Sequence, residues 1–98
     1  MFKLVKIKGR SMEPTLFDGE IAITIKPRHI KAGLIYLINH SELGRIVKRI
    51  GEAKNGRYPL YGDNAQSTPP AVMGNVEKER ILRRLIWVIG KNGLRRIR

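Results

Sequence analysis

Hydrophobic and polar positions divide the chain into short apolar or alternating segments: Phe2 to Lys8, Ile21 to Ile25, Leu34 to Ile38, Ile46 to Ile50, Tyr58 to Tyr61 and Ile81 to Ile89. Each has strand length, and most are rich in β-branched residues. The breaks between them hold Gly9, Asp18-Gly19, Pro27, Gly33, Asn55-Gly56, Gly62-Asp63-Asn64 and Pro69-Pro70, which supply unusual backbone angles or remove a ladder donor. Val76 to Leu85 carries the helix formers Glu77, Glu79 and Arg80, but it runs into strand-like Leu85 to Ile89 and is read as strand. Leu94 to Arg98 reads as a tail or a final strand edge. The pattern predicts one mainly β domain over residues 1–98, a small barrel-like coiled antiparallel sheet.

Two segments sort their side chains differently. In Ile21 to Lys26 the three isoleucines share one face, and Ala22, Thr24 and Lys26 the other. In Gly44 to Gly51, Ile46, Lys48 and Ile50 share a face while Arg45, Val47 and Arg49 share its opposite, so Lys48 sits between two isoleucines. Burial disfavours an ammonium, and a lysine made neutral in this way can accept a proton. The same position also suits a lysine whose stem packs while its charge reaches water or pairs with a carboxylate such as Asp63.

Composition narrows the field. The 98-residue chain has no cysteine, so disulfides and thiolate metal sites are excluded, and no paired histidine spacing marks another metal site. No cofactor is expected. The longest apolar runs, Leu34 to Ile38 and Leu85 to Ile89, are far short of a bilayer span, and Met1 to Lys8 lacks the continuous apolar stretch of a signal peptide. A cytoplasmic protein is expected. Its net charge of +12 would attract nucleic acid, an anionic membrane surface or an acidic client.

A serine follows the first strand, in Gly9-Arg10-Ser11-Met12-Glu13-Pro14-Thr15-Leu16. The glycine and proline around it require a sharp turn. Such a junction can present a hydroxyl beside unengaged backbone N–H groups, as acyl transfer needs, or it can simply be a helix N-cap or turn serine.

Ser11 to Leu16 resembles the Ser-Met-x-Pro-Thr-Leu box of type I signal peptidases. Three further boxes follow in that family's order. Asp18 to Ile23 resembles the Gly-Asp-x-Val segment, Arg45 to Gly51 the lysine box, and Gly62-Asp63-Asn64 through Ser67 the Gly-Asp-Asn-x-x-Ser box. Gly74-Asn75-Val76, with Glu79-Arg80-Ile81 and the strand to Ile89, follows the closing pattern, so the resemblance covers nearly the whole chain. It implies a largely β fold and a Ser/Lys dyad, with Ser11 as nucleophile, Lys48 as general base and the Ser11 backbone N–H as an oxyanion donor. It further implies that Ser67 orients the lysine amine, and that Asp63 and Asn64 fix the surrounding turn.

Departures from the family pattern carry their own expectations. Thr68-Pro69-Pro70-Ala71 stands where many bacterial members have Asp-Ser-Arg, so the buried Asp/Arg support is expected to be absent. Gly9 occupies the position of an oxyanion-hole hydroxyl in some members, which leaves a second donor to backbone or water. The membrane anchor and large insertion of bigger homologues are missing, which suggests a minimal unanchored core. The resemblance implies a polypeptide substrate bound as an extended strand and cut after small residues, in pockets lined by Met12, Ile21 and Ile23. Leader trimming of a cytoplasmic enzyme precursor, such as nickel superoxide dismutase, is one substrate class it suggests.

Other readings compete. Ala32-Gly33 matches the cleavage dipeptide of the related self-cleaving repressor peptidases, but a cut there would separate Ser11 from Lys48, and an Ala-Gly turn explains it better. A basic nucleic-acid-binding barrel would use the charge on phosphates and stack bases on Tyr58, Tyr61 and Trp87, yet those three lie in apolar strands where a core or half-core role is more ordinary. A charge tether to anionic membrane is compatible with peptidase activity. His29 and His40 lie in segments that read as loops, which gives a Ser/His/Asp triad little support.

Overall fold

The computed structural model describes residues 1–69 and 73–97. Eight strands follow one another: β1 (Lys3–Lys6), β2 (Ile21–Ile25), β3 (Ile35–His40), β4 (Gly44–Ile50), β5 (Arg57–Tyr61), β6 (Asn75–Glu77), β7 (Ile81–Gly90) and β8 (Gly93–Arg96). A 3₁₀ turn at Lys78–Arg80 joins β6 to β7, where the sequence suggested uninterrupted strand. All the strand pairings are antiparallel. The order is β1-β2-β7-β3-β4-β5-β6, with β8 also on β7, and the sheet remains open rather than closing into a barrel. Among the described residues, no helix is long and apolar enough to cross a membrane.

The long strand β7 organises this sheet. It pairs with β2 through Arg84 to Ile89, with β3 through Ile81 to Arg84, and with β8 through Trp87 to Gly90. Its register slips once against β2, between Ile23 and Thr24, and once against β3, between Leu37 and Ile38. Such irregularities bend a strand and increase its twist, so β7 can serve neighbours lying in different directions.

Two apolar clusters result. Ile7, Met12, Leu16, Ala22, Leu85 and Val88 belong to one, while Tyr36, Ile38, Ile50, Leu60, Val76 and Ile81 form the other. Strand β3 separates them: Ile35 and Leu37 enter the first, and Tyr36 and Ile38 the second. Burial of both faces explains its unbroken apolar run, which a half-exposed strand would not need. Strand β2 is buried on its small-residue face. Ala22 and Thr24 are fully buried, whereas Ile21, Ile23 and Ile25 are half-buried. Thr24 fits because its hydroxyl donates to the Lys3 carbonyl at 2.9 Å and accepts from Arg83 Nε at 2.7 Å. Tyr61 and Trp87, expected in core or half-core positions, are 42% and 36% exposed because each points out from its strand.

Candidate active site

Ser11 lies in a tight loop after β1. Gly9 takes a φ of +83°, which an L side chain rarely tolerates, and its N–H donates to Asp18 Oδ1 at 2.7 Å. The chain then makes a single turn, in which the Thr15 and Leu16 N–H groups donate to the Met12 carbonyl. That turn directs Met12 and Leu16 into the first core cluster and leaves Ser11 half-buried at the surface. The Ser11 N–H has no hydrogen-bond partner among the described residues.

A second loop holds the first from behind. Asn64 donates from its backbone N–H to the Ser11 carbonyl and from Nδ2 to the Arg10 carbonyl, both at 2.9 Å, while its Oδ1 accepts from Gln66 N–H. Ser67 returns to the same residue, donating both its hydroxyl and its N–H to the Asn64 carbonyl. Gly62 lets these segments meet. A Cβ there would lie 2.3 Å from Ser67 Oγ and 2.6 Å from the Ser11 carbonyl oxygen.

Lys48 comes from β4, opposite Tyr36 of β3, on the face that carries Ile46 and Ile50. Only 6% of it is exposed, and burial holds its amine below the ordinary lysine range. Among the described residues its amine has neither a hydrogen bond nor an ion pair, so Asp63 is not its counter-ion. Asp63 instead binds the next residue, Arg49, from Nε to Oδ1 at 2.8 Å and from Nη2 to Oδ2 at 2.7 Å, and it accepts from the Thr15 hydroxyl. The Arg49 guanidinium, followed by burial and the Thr15 bond acting in opposite senses, leaves the carboxyl below the usual range. An Asp/Arg pair therefore supports this region after all, built from positions that the departure at residues 68–71 did not reveal. Of that segment, Pro70 and Ala71 lie outside the described residues.

Ser11, Lys48, Asn64 and Ser67 line one cleft of about 310 Å³, with Arg10 and Thr68 at its edge. Ser11 and Lys48 also border an adjoining, larger cleft of about 580 Å³. No hydrogen bond joins the Lys48 amine to either serine hydroxyl in this state. Catalytic contacts are often longer before substrate arrives.

Several assignments from sequence change. Gly9 shapes the loop, but its N–H is committed to Asp18 and does not face an oxyanion. Met12 is core, 2% exposed, because the turn after Ser11 points it inward. Ile21 and Ile23 pair with Lys6 and Leu4 of β1 and with Ile89 and Trp87 of β7, and the clefts beside Ser11 are lined by other apolar residues. His40 ends β3 rather than lying in a loop. Its Nδ1 accepts from the N–H groups of Glu42 and Leu43, so Nε2 carries the proton and donates to the Met73 carbonyl at 3.0 Å. His29 lies beside Lys26, Arg28 and Arg84 in a separate hollow. No cluster of three potential metal ligands occurs among the described residues. Thr15 and Arg49 were missed; the Pro-Thr-Leu box contained the first and the lysine box the second.

No curated protein matches the chain. The family model described as Peptidase S24-like matches residues 2–86, a span that includes both loops and the lysine strand. With that match over most of its length and an antiparallel, mainly β fold, the chain belongs to the Peptidase S24-like family, and its fold is of the serine peptidase type.

Proposed function

We propose that the protein is a serine endopeptidase in which Ser11 attacks and Lys48 acts as general base, cutting an extended polypeptide after small residues. The observation that carries this reading is the shared cleft. Two residues far apart in sequence line it, one a hydroxyl on a braced loop and the other a buried lysine without a counter-ion.

In the first half of the reaction the Ser11 hydroxyl gives its proton to the neutral Lys48 amine as Oγ bonds to the scissile carbonyl carbon. The carbonyl oxygen gains the negative charge, and the unengaged Ser11 N–H is available to it. Collapse breaks the C–N bond, and the Lys48 ammonium returns its proton to the leaving amine. Water then gives a proton to Lys48 and attacks the acyl-serine, which releases the acid and restores both residues. The Ser67 hydroxyl donates its hydrogen bond to the Asn64 carbonyl, so its lone pairs suit a lysine N–H.

Two unpaired sheet edges favour an extended substrate. Among the described residues, β1 ends the strand order, and β5 pairs with β4 only at Arg49 and Ile50, which leaves the Gly44 to Lys48 edge without a strand partner beside the larger cleft. A substrate strand entering there gains main-chain hydrogen bonds. Trimming the leader of a cytoplasmic precursor, such as that of nickel superoxide dismutase, fits these requirements. Mass-spectrometric mapping of N-termini, in lysate of the source organism treated with wild type or Ser11→Ala, tests the reading. New termini after small residues should appear with wild type alone. Identical samples across pH 7 to 9, with folded protein confirmed, would remove the peptidase reading and favour a basic binding module.

A further inference from the structure

The larger cleft beside Ser11 combines apolar lining with charge of a single sign. Leu4 and Val5 of β1 line it together with Leu37, Ile46 and Val47, and Leu4 and Leu43 are 66% and 58% exposed. Lys6, Lys8 and Arg45 lie among them, and no carboxylate is present in this lining. None of the three cations has an ion-pair partner among the described residues, in contrast with Arg10, Arg49, Arg57 and Arg95, which pair with Glu13, Asp63, Glu77 and Glu20. Four arginines are thus ion-paired outside this cleft, and the cleft cations are among the many that are not, which leaves its lining positive.

We infer that Lys6, Lys8 and Arg45 select substrates that carry acidic side chains next to an apolar segment at the cleavage site. This rests on the proposed peptidase reading and names its substrate class. Main-chain pairing along the open edges of β1 and β4 would hold the substrate regardless of sequence. The leucines and valines would take its apolar side chains, and the three cations would discriminate by charge, attracting acidic flanks and repelling basic ones. Lys6 and Arg45 come from opposite walls, so a strand between them meets positive charge on both sides. The net charge of +12 steers any acidic peptide toward the protein, but only the cleft cations would make recognition local.

The test separates binding from turnover. Ser11→Ala protein would be titrated with fluorescent ten-residue peptides that share an apolar centre ending in alanine and carry flanks of glutamate, serine or lysine, with anisotropy as the readout. Glutamate flanks should bind about tenfold tighter than lysine flanks, a spread set by a few exposed charge pairs. Lys6→Glu with Arg45→Glu should invert that order, whereas Lys26→Glu with Lys31→Glu, the same charge change in another hollow, should leave it in place. Lys6→Gln with Arg45→Gln is a milder version that should narrow the spread, since Lys8 remains. Equal binding of the three peptides, absence of binding, or equal effects from the two charge reversals would overturn the inference. Peptidase activity from the lysate experiment would stand in any of those cases.

Discussion

Arg49 donates two hydrogen bonds to Asp63, at 2.8 and 2.7 Å, while the amine of its neighbour Lys48 donates none to any described group. Successive residues of one strand thus meet opposite conditions. The guanidinium is fixed to a carboxylate, whereas the amine, on a mostly buried side chain that borders the cleft, has none. The strand's period of two separates them, and the Gly62-Asp63-Asn64 loop supplies its acid to only one face.

Asp63→Asn should therefore destabilise the protein by about 1 to 3 kcal/mol, because it leaves the Arg49 guanidinium without its counter-charge and weakens the Thr15 contact. The pH dependence has a definite sign. The folded carboxyl titrates below its unfolded value near 3.8, so the pair stabilises the fold above that pH and is lost as pH falls through the lower folded value. Melting temperatures of wild type and Asp63→Asn should differ at pH 6, draw together as pH falls past 3.8, and converge in acid below the lowered folded value. A gap that persists there would refute the assignment.

Gly62→Ala should damage chemistry more than folding. The new methyl must displace the Ser67 hydroxyl and the Ser11 carbonyl together, since it would fall 2.3 and 2.6 Å from them. A shift of about 1 Å in a reacting group costs on the order of 10²-fold, so kcat on the substrate found by N-terminal mapping should fall by that factor. An unchanged kcat would mean that the two loops do not position the nucleophile.

Much of this was legible in the sequence, for identifiable reasons. Strands β2 to β5 and β7 announced themselves through apolar runs bounded by turn residues, and β4 revealed its misplaced lysine through alternation. Strand β6 was read as continuous with β7, because nothing in Val76 to Leu85 marks the 3₁₀ turn that separates them. The buried face of β2 was obscured by its composition: Ala22 and Thr24 lie inside for their small size and matched hydroxyl, while the isoleucines lie half outside. Met12 and Gly9 sit beside Ser11 in sequence, but only the turn geometry directs one into the core and commits the other's N–H to Asp18. The Arg49–Asp63 pair is likewise tertiary, spanning 14 residues through a loop whose path no local pattern specifies.

His40→Ala separates a structural histidine from a catalytic one. The ring satisfies two N–H groups and one carbonyl at the end of β3, so its loss should cost about 1 to 2 kcal/mol and lower the melting temperature. Turnover by the folded fraction should stay within about threefold, well short of the 10²-fold or more lost with a general base. Loss of turnover in folded His40→Ala, with Lys48→Ala still active, would replace the dyad by a histidine mechanism.

Lys48→Met should abolish turnover and raise stability at once. Methionine keeps an unbranched chain beside Ile46 and Ile50 without the buried amine, for which the polar burial cost is on the order of 1 kcal/mol. Burial holds the folded amine below the ordinary value of 10.5. Between those two values the unfolded chain binds a proton that the native state does not, so wild-type stability rises with pH across the window. The advantage of Lys48→Met should accordingly be largest at pH below the folded value and fade toward 10.5. Wild-type turnover should increase through the same lowered value as the amine becomes neutral, while Lys48→Arg, charged at every accessible pH, should stay inactive. A variant less stable than wild type at pH 7, or a rate that does not rise with pH, would show that Lys48 is held as a charged structural residue rather than as a base.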